Sequence, residues 1–338
     1  MGLLLVSSSV GGLRAQEESA ETLKIEVDAI NLNVLVTDKE GRALTGFQKE
    51  NFRVFEDKVE QQISNFFPVN APFSVGLLLD TSRSTWDKLA QIQNSAIEFL
   101  REIHPDDEVM VISFDDEVYL QTDFTRNKEQ AERAVKSTRT GGSTQLYDAV
   151  YLGMEEIRRQ PHRKVMVLFT DGVDTTSLTR MRESLDVAKE ADATIYTILF
   201  DTRFDVLQPP PFPPGTPGTI PGGYPGPVGI PGGSPLPRRS PSPTGRGRLD
   251  HDPQRGKAYL EDLSATSGGR RFSAENDLNN LSAIFAQIAE EMRSLYSVSY
   301  VSSKLKKDGK YRKVQVRVDE PKARVRTRKG YYSHKLEN

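Results

Sequence analysis

The sequence predicts an α/β fold: a doubly wound, mostly parallel sheet flanked by helices, with a small antiparallel β-sandwich formed by the two ends of the chain. Three observations lead there. From Phe73 onward short apolar runs alternate with helical stretches, the rhythm of a sheet wound through crossover helices. Before residue 70 and after residue 296 the pattern changes to strands alone. Neither end has enough strands to enclose a core, so the two are expected to combine around the unit between them.

Residues 1–16, MGLLLVSSSVGGLRAQ, set an apolar segment and Leu13-Arg14-Ala15 ahead of an acidic stretch, like the end of a secretory signal cut near Ala15 or Gln16. No Lys or Arg precedes the apolar segment, so the signal is incomplete and Met1 reads as a downstream start. The expected location is outside the cytoplasm: periplasm, cell surface or secreted. In the N-terminal β segment, residues 23–70, Ile30, Leu32, Val34 and Val36 alternate with mostly polar neighbours, as in a half-buried strand. Asp38 to Gly41 supplies a turn, and short runs at 52–55 and 62–67 add two strands.

The α/β unit spans 73–295. Val75 to Leu79 is a short, continuous apolar run that ends abruptly in Asp80, which suits a strand buried on both faces. Ser84 to Asp87 fits a capping box, predicting a helix from there to Ile103. A strand at 108–114, the Asp115-Asp116 turn and an edge strand at 118–120 follow, then a polar helix near 127–135. Gly141-Gly142-Ser143-Thr144 is expected to open a helix carrying Leu146, Val150 and Met154. Val165 to Phe169 is a buried strand ending in Thr170-Asp171-Gly172; a helix near 178–191 and a strand at 194–200 come next. Residues 202–256 hold most of the prolines and read as a disordered insertion in a surface loop. Within it, Pro235 to Arg239 has the basic polyproline look that SH3-like modules read, with a plain linker the default. Alternation resumes with a helix at 257–267, a strand at 270–272, and a helix in which Leu278, Leu281, Phe285, Ile288, Met292 and Leu295 step by three and four. The C-terminal β segment, 296–332, is expected to pair with the N-terminal one. Its Arg324, Arg326 and Arg328 share one face of a predicted strand, a solvated edge by default and an anion-binding surface otherwise.

Composition removes several function classes. The 338 residues allow two ordinary domains, and 45 basic against 47 acidic residues leave a net charge of −2, unlike a nucleic-acid binder that relies on bulk charge. There is no cysteine, which excludes thiol catalysis, disulfides and thiolate metal sites. Four histidines, none in an H-E-x-x-H arrangement, disfavour a zinc hydrolase. No stretch approaches the roughly 18 apolar residues of a membrane span. The oligomeric state is not legible.

What remains is an oxygen cluster. Asp80-Thr81-Ser82-Arg83-Ser84, Thr144 and Thr170-Asp171-Gly172 fall at carboxyl ends of strands or openings of helices on one edge, where such sheets bind ligands. Two carboxylates and three neutral hydroxyls suit a hard cation, Mg²⁺ or Mn²⁺. With only two carboxylates the site stays electropositive, so an Asp or Glu of a partner protein can complete the shell. Each part also has a plainer reading: Ser84 and Thr144 as helix N-caps, Asp171-Gly172 as a turn, Arg83 as a solvated charge, Trp86 as helix-start packing, Asp115-Asp116 as a hairpin turn.

D-x-S-x-S after the first strand, a Thr after a glycine pair and T-D-G after a middle strand resemble the metal-ion-dependent adhesion site of von Willebrand factor type A domains. The resemblance covers about 73–200 and 257–295. The ends, VTDKEGRALTGFQKENFRVFEDKVEQQI, DGKYRKVQVRV and RVRTRKGYY, are similar to the bacterial VWFA-related family of acidobacterial type. The resemblance implies a Rossmann-like domain in which Ser82, Ser84 and Thr144 ligate the metal directly, with Asp80 and Asp171 acting directly or through water. It implies a non-enzymatic adhesion or protein-interaction module. The alternatives are a Mg²⁺-dependent phosphoryl-transfer enzyme, for which the expected second carboxylate of D-x-D is replaced by Ser82, and a scaffold that binds through its β-sandwich. No P-loop and no G-x-S-x-G elbow is present.

Overall fold

The computed structural model describes residues 29–69, 71–200, 234–235, 253–274, 280–304 and 308–333. The chain begins with β1 (Ala29–Thr37), β2 (Phe52–Glu56), β3 (Val59–Gln61) and β4 (Ile63–Phe67). Strand–helix alternation follows: β5 (Phe73–Asp80), α1 (Leu89–Glu102), β6 (Glu108–Phe114), β7 (Val118–Thr125), α2 (Lys128–Ser137), α3 (Leu146–Ile157), β8 (Arg163–Thr170), α4 (Met181–Glu190) and β9 (Thr194–Leu199). Next come β10 (Ser234–Pro235), α5 (Pro253–Ser267), β11 (Arg271–Ser273) and α6 (Leu281–Arg293). The chain ends in β12 (Tyr296–Val301), β13 (Tyr311–Val318), β14 (Arg324–Arg326) and β15 (Gly330–Tyr332).

The central sheet has the order β10-β7-β6-β5-β8-β9-β11, with β7 and β10 antiparallel and the other pairings parallel. Every residue of β5 is buried, because helices cover both faces. Val75, Leu77 and Leu79 pack with Phe99 of α1 and Phe285 of α6, while Leu78 packs on the opposite face with Val150 and Met154 of α3. From β5 the chain moves to β6 on one side and later to β8 on the other, so a crevice opens beyond the carboxyl end of β5. That crevice is where the predicted oxygen cluster falls.

The two ends of the chain interleave. β14-β1-β12-β4 form one antiparallel sheet and β15-β13-β2-β3 a second. Their inner faces share a core of Leu32, Val34, Val54, Val298 and Val316, in which Phe52 and Tyr296 stand 5.1 Å apart, centroid to centroid. Inside it Glu56 is fully buried; its carboxylate accepts hydrogen bonds from Tyr300 (3.0 Å), Tyr331 (2.8 Å), Ser302 (2.8 Å) and Arg312 (3.1 Å). The predicted α/β sheet with a sandwich made from both ends is thus the observed architecture. Arg163, at the start of β8, joins the two units by donating to the carbonyls of Leu295 (2.6 Å) and Ala71, while its guanidinium lies over Phe73.

Several expectations change. The capping box at Ser84 is absent: residues 83–85 form a single 3₁₀ turn, and α1 starts at Leu89 after Lys88. α3 starts at Leu146, behind Gln145, so Thr144 lies in the loop and not in the helix. The strand at 118–120 continues to Thr125 and is not the sheet edge, since Ser234–Pro235 of the Pro/Gly-rich insertion pairs with it. Residues 253–256, expected within the insertion, instead begin α5, whereas 202–233 and 236–252, the leader-like segment and Leu278 lie outside the described residues. Arg328 is no solvated edge: it follows β14 and is 7 % exposed.

Candidate metal centre

Asp80 ends β5 with no solvent exposure. One carboxylate oxygen accepts from the Ser82 N–H at 2.9 Å and the other from the Thr170 hydroxyl at 2.7 Å, which ties β5 to its neighbour β8. Burial, and after it the nearby Asp171 carboxylate, hold Asp80 well above the usual carboxylate range, against the lowering effect of the Ser82 and Thr170 hydrogen bonds. The 3₁₀ turn behind it is closed by Thr85, whose hydroxyl donates to the Ser82 carbonyl at 2.8 Å. This turn sets the hydroxyls of Ser82 and Ser84 side by side, 3.0 Å apart.

Asp171 follows the end of β8 in a tight turn. Its carboxylate accepts from Val173 N–H at 3.0 Å, and Gly172 adopts a φ of +80° that favours glycine. The first turn of α5 packs so closely that a Cβ on Gly256 would meet the Gly172 carbonyl oxygen at 2.3 Å.

Thr144 arrives on a loop bonded directly to the Ser82–Ser84 turn: Arg83 N–H donates to the Gly142 carbonyl (3.1 Å) and Gly141 N–H to the Thr81 carbonyl (2.8 Å). The Thr144 carbonyl in turn accepts from the N–H groups of Thr175 (2.9 Å) and Thr176 (3.1 Å). The five predicted residues therefore stand at one end of the sheet, on loops that hydrogen-bond to one another or end adjacent strands. The N-cap readings do not hold, since neither Ser84 nor Thr144 occupies an N-cap; the turn reading of Asp171-Gly172 does.

Sequence reasoning missed how the Thr144 loop is held. The Asp116 carboxylate accepts from Gly142 N–H (2.8 Å), Ser143 N–H (2.8 Å) and the Ser143 hydroxyl (2.5 Å). The Ser143 bonds, side chain first, keep Asp116 below the usual carboxylate range. Asp115 accepts from the Thr81 hydroxyl at 2.9 Å, and a Cβ on Gly141 would lie 2.4 Å from its carboxyl carbon. The signal was the glycine pair, which permits this close approach.

The donor set fits a hard dication. The Asp171 carboxylate stands close enough to Asp80 to raise its proton affinity, and the hydroxyls of Ser82 and Ser84 nearby are uncharged. Among the described residues no group of three or more His, Cys, Asp or Glu is placed to hold a metal ion. Near the cluster in sequence Arg83 is exposed, and Trp86, the chain's single tryptophan, is 61 % exposed and so is not buried helix-start packing.

These features define a doubly wound α/β binding domain with its ligand edge at the switch point of a largely parallel sheet. Residues 75–173 match the family model of the von Willebrand factor type A domain. A comparison with curated proteins finds no match. Among solved structures, the chain is similar to an aerotolerance-related membrane protein from Bacteroides fragilis, at 16% identity and a TM-score of 0.42, over 65% of this chain and 98% of that one. It is also similar to the von Willebrand factor domain of a type V pili tip protein from Porphyromonas gingivalis, at 13% identity and a TM-score of 0.45, over 65% and 94%. A minor pilin from Streptococcus sanguinis gives 12% identity and a TM-score of 0.44, over 69% and 63%.

Proposed function

We propose that the chain is a non-enzymatic protein-interaction module that engages an Asp or Glu of a partner protein through a divalent cation, Mg²⁺ or Mn²⁺. Asp80, Ser82, Ser84, Thr144 and Asp171 would hold the ion. When bound, the cation supplies a Lewis-acidic position that a partner carboxylate can occupy. The chain's own part is to orient the hydroxyls through the 83–85 turn, to hold the Thr144 loop through Asp116, and to supply only two carboxylates, which leaves the ion's charge no more than balanced before a partner carboxylate arrives. Arg83 and Trp86, both exposed, offer a charge and an aromatic face for neighbouring partner residues.

The observation that carries this reading is the convergence of two carboxylates and paired hydroxyls at the sheet's switch point, within the residues that match the von Willebrand factor type A model. Phosphoryl transfer is the weaker reading, because Ser82 stands where that chemistry needs a second carboxylate as acid and base. The leader-like 1–16 segment supports a location outside the cytoplasm. No helix among the described residues is long and apolar enough to cross a membrane.

Calorimetric titration of the full chain with Mn²⁺, followed by capture of glutamate-bearing peptides with and without chelator, tests the proposal. One bound ion and chelator-sensitive capture are expected. Mn²⁺ binding that is unchanged in Asp80→Asn, or capture indifferent to chelator, would show the reading to be wrong.

A further inference from the structure

At the end of the central sheet opposite the metal edge, a cavity of ≈ 260 Å³ opens between the α/β unit and the sandwich. One wall is the outer face of β1, β12 and β4. Leu32 and Val34 turn into the sandwich core, so the alternating Asn31 and Asn33 face the cavity. Across the strands Asn31 lies opposite Ser299 and Asn33 opposite Ser297, with Phe67 of β4 beyond Ser297. The other wall carries Lys164 at the start of β8 and Asp192 in the turn before β9; Pro72 and Pro161 also line the space.

Most polar groups on these walls are already engaged. Lys164 Nζ is 3.0 Å from an Asp192 carboxylate oxygen, so the two charges cancel. The Ser299 hydroxyl donates to Asn31 Oδ1 at 2.7 Å, and Asn31 Nδ2 reaches Asp192 at 3.5 Å. Asn33 Nδ2 donates to the Thr194 hydroxyl (3.1 Å) and the Lys164 carbonyl (3.3 Å). Arg163 is held by the carbonyls of Leu295 and Ala71, and His162 stands 3.9 Å from Glu108.

Two groups are left over. The hydroxyl of Ser297, a residue only 6 % exposed, and Asn33 Oδ1 have no hydrogen-bond partner among the described residues, and both residues line the cavity. Polar groups this deep are normally paired, so these two call for a partner from outside the chain. Beside them Phe67 is 51 % exposed, whereas Phe52 and Tyr296 of the same sandwich are buried.

We propose that this cavity binds one neutral sugar ring, a hexopyranose, free or at the end of a glycan. The charge balance is wrong for an ion: an anion would find Lys164 and Arg163 engaged, and a cation would find the Asp192 carboxylate already paired. A wholly apolar ligand would seal Ser297 and Asn33 without partners. A pyranose supplies what the walls lack, hydroxyls to pair with Ser297 and Asn33 Oδ1 and a C–H face to cover the Phe67 ring. The volume falls just below the ~300 Å³ at which sites for drug-sized ligands begin, which suits a single ring. The site lies at the other end of the sheet from the metal edge and does not rest on the metal reading.

Saturation-transfer NMR on the full chain tests this, with glucose, galactose, mannose and N-acetylglucosamine as probes beside gluconate and cyclohexanol. At least one pyranose is expected to bind saturably, with a dissociation constant of about 1 mM, and to take up saturation on its ring C–H groups. Ser297→Ala should weaken that binding by about tenfold, the scale of one buried hydrogen bond. Phe67→Ser, at an exposed position, should remove the transfer to the ring C–H groups. A thermal melt of each variant checks its fold. The proposal is overturned if no pyranose binds saturably up to about 100 mM, or if gluconate or cyclohexanol binds as well as the best pyranose. It is also overturned if both folded variants bind that sugar as the unsubstituted chain does. A polysaccharide ending in the same sugar separates the sources: binding at its termini upholds the proposal with a glycan as the source, and binding of the free sugar alone upholds it with a free one.

Discussion

At Asp80 one carboxylate without solvent contact closes the β5–β8 junction and stands beside Asp171, a second acid. Removing its charge therefore has two opposite consequences. In metal-free protein, Asp80→Asn relieves repulsion and desolvation, so the melting temperature should stay equal or rise. With Mn²⁺ present, the ligand-induced rise expected of the unsubstituted chain should be absent in the variant, because linkage stabilisation requires binding to the folded state. Paired thermal melts with and without the ion check both. A separate residue-scale effect lies at Asp174, which burial raises to about 6 despite hydrogen bonds from Ser177 and Tyr147 N–H. Its folded value exceeds the unfolded one, so the folded state holds the proton more tightly. The stabilisation is full below about pH 4 and is lost as pH rises through about 6. Asp174→Asn should flatten that part of the stability–pH curve, as read by urea titrations across the range. Both residues were visible in the sequence, but only Asp80 was legible. It ends an apolar run and begins a spaced motif, whereas Asp174 is buried by the fold of a loop.

The elements that build the site are loops held by backbone contacts, which explains what the sequence hid. Asp116 acts on N–H groups of residues 142 and 143, distant in the chain, and no side-chain pattern announces such a bond. Asp116→Ala should weaken Mn²⁺ binding by about tenfold at a stability cost of only about 1 kcal/mol, since the three bonds it accepts lie at an exposed position. Calorimetry paired with a thermal melt separates the two effects. Gly256→Ala presents the contrary case. Its new Cβ would strike the Gly172 carbonyl, a backbone atom that cannot swing aside. The start of α5 must then move off the Asp171 turn, at a cost of about 1–3 kcal/mol. Denaturant unfolding should record that loss, accompanied by weaker ion binding. The element types themselves were well marked by apolar periodicity. The starts of α1 and α3 were not, because Ser84 and Thr144 are cap-forming residue types placed in loops instead.

Across the whole molecule the sandwich depends on a charge that only the complete chain can neutralise. Glu56 comes from the N-terminal segment; Tyr300, Arg312 and Tyr331 come from the C-terminal one. Glu56→Ala leaves the Arg312 guanidinium, itself 5 % exposed as a residue, without its carboxylate. A loss of about 3–5 kcal/mol is expected in urea unfolding. That the two ends combine was readable from strand counts alone. The order of strands was not, because hydrophobic alternation shows which face is buried and is silent about neighbours.

That shared sandwich also imposes a timetable. Ile30 lies opposite Tyr300, so β1 emerges from the ribosome about 270 residues before its partner, a wait of roughly tens of seconds at ordinary synthesis rates. All of the central sheet's strands are made within that interval. β1 and β4 therefore wait for β12 while β2 and β3 can pair at once, and until β12 is made the edges it will join stay open.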